Sequence, residues 1–179
     1  LRKVYQIIKK GGITMPEVRL GHIIKLSLNA IKESVEAEPR VICSDEAVCE
    51  VLRDLYVAVD NKTYISPVST ADNPALSDDY VFDTDDENLI LKDLRKDNSV
   101  GKIKDLSKGA AKRKEKGYPE EYLYVFKYAC KLTRIDADTS GVESDNILIY
   151  IKINNRKIPN DRVFVISFHK NRPKDNKNK

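Results

Sequence analysis

Between Glu17 and Glu36, Leu20, Ile24, Leu28, Ile31 and Val35 recur at helical spacing, while His22, Lys25, Asn29, Lys32 and Glu36 fall on the opposite side. The spacing predicts an amphipathic helix with one stripe turned to a core. A second helix is expected after Ser44, whose hydroxyl can cap it ahead of Asp45 and Glu46, with Ala47, Val48, Val51, Leu52, Leu55 and Val59 as its apolar face. Pro39 separates the two helices, and a short connection of this kind favours antiparallel neighbours. Thr63 to Ile65 reads as a brief strand and Ser69 to Asp79 as a polar loop. Thr84 and Glu87 have capping-box spacing, which predicts a short helix carrying Leu89, Ile90 and Leu94. Asp97 to Gly117 combines glycines, few apolar residues and repeated like charge, the pattern of a mobile segment.

The last third changes period from helix to strand. Tyr122, Tyr124, Phe126, Tyr128, Cys130 and Leu132 alternate with Leu123, Val125, Lys127, Ala129 and Lys131, so one face is aromatic and the other carries lysine. The aromatic face is expected in the core and the lysine face in water. Asn146 to Ile153 alternates in the same way, and Arg162 to His169 sets Val163, Val165 and Ser167 against Phe164, Ile166 and Phe168. Asn154-Asn155 and Pro159-Asn160-Asp161 have turn composition. The fold class expected is α+β, with N-terminal amphipathic helices packed on a C-terminal antiparallel β-meander.

Composition narrows this picture only a little. The chain has 179 residues, enough for one core, and a formal charge of +4 from 32 Lys and Arg against 28 Asp and Glu. No apolar run approaches the roughly 20 residues needed to span a bilayer, so no membrane association and a cytoplasmic location are expected. Cys43, Cys49 and Cys130 have no paired spacing, which predicts reduced thiols rather than a disulfide framework or zinc site. Met15 is the sole methionine, and the preceding Lys10-Gly11-Gly12 can be encoded by a purine-rich ribosome-binding site. Residues 1–14 are therefore expected to be a non-native leader, 15–170 one domain and 171–179 a basic, disordered tail; the alternative is that Val4, Ile7 and Ile8 belong to a short packed helix. The abundance of Lys, Asn and Ile suits an AT-rich genome, as in a Gram-positive bacterium or its phages and mobile elements.

Charge is segregated along the chain. Asp72 to Glu87 carries acids and no base, whereas Lys92 to Lys116 is basic and includes Lys112, Arg113 and Lys114. Those three, with Lys127, Lys131 and Arg172, are candidate phosphate contacts for RNA; the alternative is a solvated helix with a frayed basic terminus. His169, one of two histidines, ends the last strand near Ser167, Lys170 and Arg162. A histidine can shuttle a proton while cations stabilise charge on a phosphate, so His169 is the candidate acid or base, Ser167 an orienting hydroxyl, and Arg162 and Lys170 phosphate binders. The alternative is polar punctuation at a strand end. Asp136 to Gly141 begins like a calcium loop, but Ile147 stands where the bidentate acid belongs, so a hairpin loop is expected and neither metal nor cofactor.

Helices followed by a meander with a His-Ser-basic group on the last strand resembles the architecture of the barnase, EndoU, colicin and RelE group of ribonuclease toxins. The resemblance covers roughly Met15 to Lys170 at the level of element order. It implies a small metal-independent endoribonuclease of a toxin–antitoxin or phage system, with RNA and a cognate inhibitor as partners. The second reading is a non-catalytic module, a phage accessory protein or antitoxin, that docks a basic partner through Asp72 to Glu87.

Overall fold

The computed structural model describes residues 5–6, 17–20, 23–25, 44–66, 74–136, 143–159 and 161–171. Its strands are β1 (Tyr5–Gln6), β2 (Glu17–Leu20), β3 (Ile23–Lys25), β4 (Ser99–Lys104), β5 (Tyr122–Thr133), β6 (Ser144–Arg156) and β7 (Arg162–Lys170). Its helices are α1 (Asp45–Asp60), α2 (Thr84–Asp93) and α3 (Lys108–Glu115). All strand pairings are antiparallel, in the order β1-β2-β3-β5-β6-β7, and β4 also pairs with β5. The class is α+β. β5 pairs along one edge with β6 and shares the other edge between β4, opposite Tyr122 to Phe126, and β3, opposite Cys130 and Lys131.

One face of the sheet carries Phe126, Tyr128, Cys130 and Leu132 of β5 with Ile147, Ile149, Ile151 and Ile153 of β6. α1 covers it with Val48, Val51, Leu52, Leu55 and Val59, and α2 adds Ile90 and Leu91. Burying such side chains contributes roughly 1.5–3 kcal/mol each, so this layer holds most of the stability. The aromatic stripe of β5 is core, as its alternation indicates. The lysine-bearing face is not wet: Val125 is 0 %, Lys127 5 % and Ala129 1 % exposed. A strand buried on both faces cannot be recognised by polar alternation, and Lys127 is the residue that misleads.

Helix α1 starts where expected, with Ser44 Oγ accepting from Ala47 N at 3.4 Å. α2 is displaced by one residue from its expected cap. Asp83, not Thr84, accepts from Asp85 N and Asp86 N, and Asp86 returns a carboxylate to Asp83 N at 3.0 Å. Glu87 is thereby released to accept from Tyr64 Oη at 3.0 Å and Ser66 Oγ at 3.3 Å. The expected helix from Glu17 to Glu36 is replaced at its start by β2 and β3, in which Leu20 pairs with Ile23 across Gly21 and His22. Pairing of β3 to β2 and to β5 outweighs the helical spacing. Residues 26–36 lie outside the described residues.

The expected mobile stretch from Asp97 to Gly117 contains β4 and α3. A bulge between Ser99 and Gly101, with Gly101 at φ 116, lets β4 follow β5, and Ser107 Oγ caps α3 by accepting from Ala110 N at 3.2 Å. Asn154 and Asn155 are not a turn, because β6 runs through them. They bind helices on opposite sides of the sheet. Asn155 Nδ2 donates to Asp54 of α1 at 2.7 Å, whereas Asn154 Nδ2 donates to Glu121, the acid that holds α3, at 2.8 Å. Tyr5 and Gln6 pair with Val18 and Glu17, placing a two-residue strand ahead of Met15.

Asp93 at the end of α2 joins three elements. It accepts from Lys25 Nζ of β3 at 2.7 Å and from Tyr128 Oη of β5 at 3.0 Å. Burial first, and the Asp93 charge beside it, push the Tyr128 phenol well above its ordinary value, so it stays a neutral donor. We expect Asp93→Ala to cost about 3 kcal/mol, because it leaves that buried hydroxyl without its acceptor. Tyr128→Phe should cost about 1 kcal/mol, since Asp93 keeps Lys25. Urea midpoints of the two variants check the order, and equal losses would contradict it.

Candidate functional site

Residues Ser167 and His169 owe their position to an irregularity in β7. Ile153 pairs with Val165 but Lys152 pairs with Ser167, leaving Ile166 as an extra residue. Val163 and Val165 therefore enter the core with Phe168, although 165 and 168 differ in parity. Ser167 and His169 turn to the other face. Without the bulge they would follow Val163 and Val165 inward, which is how the alternation in the sequence reads. Ile166 itself is exposed.

On that face three strands align Lys127, Tyr150 and His169 in one row and Val125, Lys152 and Ser167 in the next. The His169 ring lies 5.6 Å from that of Tyr150, and Lys152 Nζ stands 5.2 Å from the same Tyr150 ring. His169 Nδ1 is 2.9 Å from the Lys170 carbonyl. A carbonyl only accepts, so this contact assigns the proton of the neutral ring to Nδ1 and leaves Nε2 with its lone pair. The arrangement holds a half-buried imidazole acceptor beside a hydroxyl and an ammonium.

Lys170 and Arg162 are elsewhere. Lys170 is on the core side, where its Nζ donates to Tyr80 Oη at 3.0 Å, and that phenol donates to Asp145 at 3.0 Å. Arg162 pairs with Arg156 at the opposite end of β7, about 23 Å from His169 at 3.3 Å per residue. Thus the sequence neighbours His169 and Lys170 are separated by the sheet, and Lys152 of β6 stands in the place expected of Lys170. Lys152 and Tyr150 were missed because their relation to His169 depends on strand register. Their alternation with the buried isoleucines of β6 was the available signal.

Comparison of the chain with protein-family models, curated proteins and solved structures finds no match. The remaining candidates are therefore judged on geometry alone. Lys112 is exposed on α3, but Arg113 turns inward and forks onto Glu121, with Nη2 at 3.0 Å from Oε2. Lys114 pairs with Glu120 at 2.9 Å, where Lys104 also arrives at 2.6 Å. Lys127 is buried, and Lys131 is half-buried between Asn146 and Ile24 in register. Arg172, His22 and most of the Asp136 to Gly141 loop lie outside the described residues; Asp136 itself pairs with Arg134 at 2.6 Å.

Within the acidic segment, Asp83 and Asp86 cap α2 and Glu87 bonds Tyr64, while Asp78, Asp79 and Asp85 are exposed. Cys49 is exposed and Cys130 is buried, where burial pushes its thiol up to about 12. Among the described residues no helix is long and apolar enough to cross a membrane.

Glu121 is the clamp that holds α3. Burial raises its carboxyl, but hydrogen bonds from Arg113 and Asn154 and the charges of Arg156 and Arg113 outweigh burial and bring it down to about 2 from 4.5. A depressed carboxylate stabilises the folded state fully above its unfolded value and loses that contribution as pH falls through its folded value. We expect the melting temperature to fall as pH drops from about 4.5 toward 2, and Glu121→Gln to flatten part of that fall while melting lower at neutral pH. An unchanged profile in the variant would contradict the clamp.

Proposed function

We propose that this protein acts on RNA as a small, metal-independent endoribonuclease, with the face bearing His169 as its reaction site. The observation that carries this reading is the His169 ring: Nδ1 is fixed on the Lys170 carbonyl, and the ring shares a face with Ser167, Tyr150 and Lys152. In the proposed step His169 Nε2 takes the proton of a ribose 2′-hydroxyl, whose oxygen bonds to phosphorus. The 5′-oxygen leaves with a proton from solvent, giving a cyclic phosphate and a free hydroxyl. Lys152 neutralises the charge that builds on the phosphate, and Ser167 orients the reacting group. Such a role fits a toxin of a phage or mobile element that is held in check by an inhibitor protein.

The alternative of a non-catalytic module docking through its acidic segment is less well supported. Three of the acids in that segment already hold α2 and Tyr64 in place. Purified protein incubated with single-stranded RNA in EDTA separates the two readings. We expect cleavage by the wild type and a loss of about a hundredfold or more in rate for His169→Ala, without a change in melting temperature. Equal cleavage by both would remove His169 from the reaction. No cleavage by either would favour the non-catalytic module.

A further inference from the structure

Helix α3 presents two different sides. Inward, Ala110 is buried and Arg113 locks onto Glu121, so the helix is fastened to the sheet by one small residue and one ion pair. Outward, Lys108, Lys112 and Lys116 are exposed and follow one another at four-residue spacing. Four residues advance a helix by about 6 Å and just over a full turn, so the three ammonium groups form one stripe roughly 12 Å long between its end residues. Every other cation from the start of β4 to the start of β5 has a local partner: Arg113 has Glu121, Lys104 and Lys114 have Glu120, and Lys102 covers the Tyr122 ring at 4.4 Å. Among the described residues, Lys108, Lys112 and Lys116 have no carboxylate at ion-pair distance.

Folding gains little net from this stripe, because Lys112 in the last turn and Lys116 at the C-cap suit the negative end of the helix while the rest of the arrangement opposes it. Like charges four residues apart repel on a helix, and Lys108 sits at the positive end of the helix dipole, where the first turn carries no acid. Three exposed ammonium groups without a carboxylate, adding so little to the fold, point to a use outside it. The geometry points to the outer face of α3 as a docking surface for the phosphate backbone of RNA, separate from the His169 face. A lipid surface fits less well, because a membrane-lying helix needs a broad apolar side, whereas the inner side of α3 is engaged with the sheet and Leu106 is the lone strongly exposed apolar residue beside it. The proposal rests on the reading of the protein as RNA-acting but not on catalysis by His169.

The test replaces Lys108, Lys112 and Lys116 together by Gln and measures binding of a labelled single-stranded RNA across a salt series. Three lost phosphate contacts should weaken binding at least about tenfold at low salt and flatten the plot of log affinity against log salt by about 2. The melting temperature should change little, because relieved repulsion offsets the lost attraction of Lys112 and Lys116 to the negative helix end. The labelled RNA carries 2′-O-methyl groups, which block cleavage, so that failure of the reaction reading leaves this result intact. Unchanged affinity and slope, a large fall in melting temperature, or no RNA binding by the wild type would each overturn the proposal. So would a triple variant that still binds RNA but no longer binds vesicles containing phosphatidylserine.

Discussion

Pairing of β5 along both edges, with both of its faces buried, is the constraint from which the rest of the molecule follows. β5 pairs with β6 from Tyr124 to Thr133 on one side and divides the other side between β4 and β3. Side chains alternate strictly across a strand, so each pairing fixes the face that the neighbour's residues reach. The consequence is plainest at the end of β6, where Asn155 and Lys157 hold α1 through Asp54 while Asn154 and Arg156 meet Glu121 beside α3. One segment therefore positions helices on two sides of the sheet.

The same rule governs the proposed reaction site, with one exception built into it. The extra residue Ile166 inverts the parity of the last part of β7 and turns Ser167 and His169 away from the core. Phe168 then fills the core position against Ile151, and Lys170 reaches Tyr80. A bulge in an edge strand is a common way to redirect a side chain. Here it groups His169 with Tyr150 and Lys152 instead of with Lys170, its neighbour in sequence.

Sequence periodicity revealed what depends on a single element. The Ser44 cap, the apolar face of α1, the aromatic core stripe of β5 and the existence of β6 and β7 all follow from local pattern. It failed where two patterns coincide or where tertiary pairing decides. Ile24 and Leu20 satisfy a helical spacing as well as a strand one, and β5 selects the strand. Lys127 looks like a surface residue but is buried, and Asn154-Asn155 looks like a turn but continues a strand. Of the site, His169 and Ser167 were legible, whereas Lys152 and Tyr150 were hidden because a bulge cannot be read from alternation alone.

The orientation of β7 beyond Ile166 decides the account, and nuclear Overhauser contacts of the His169 ring test it directly. The expected result is contact between His169 and the ring protons of Tyr150, whose centroid lies 5.6 Å away, together with contact between the Lys170 side chain and Tyr80. Contacts from His169 to Tyr80 or Phe82 on the core side would contradict it, because they would place the imidazole on the face opposite Lys152.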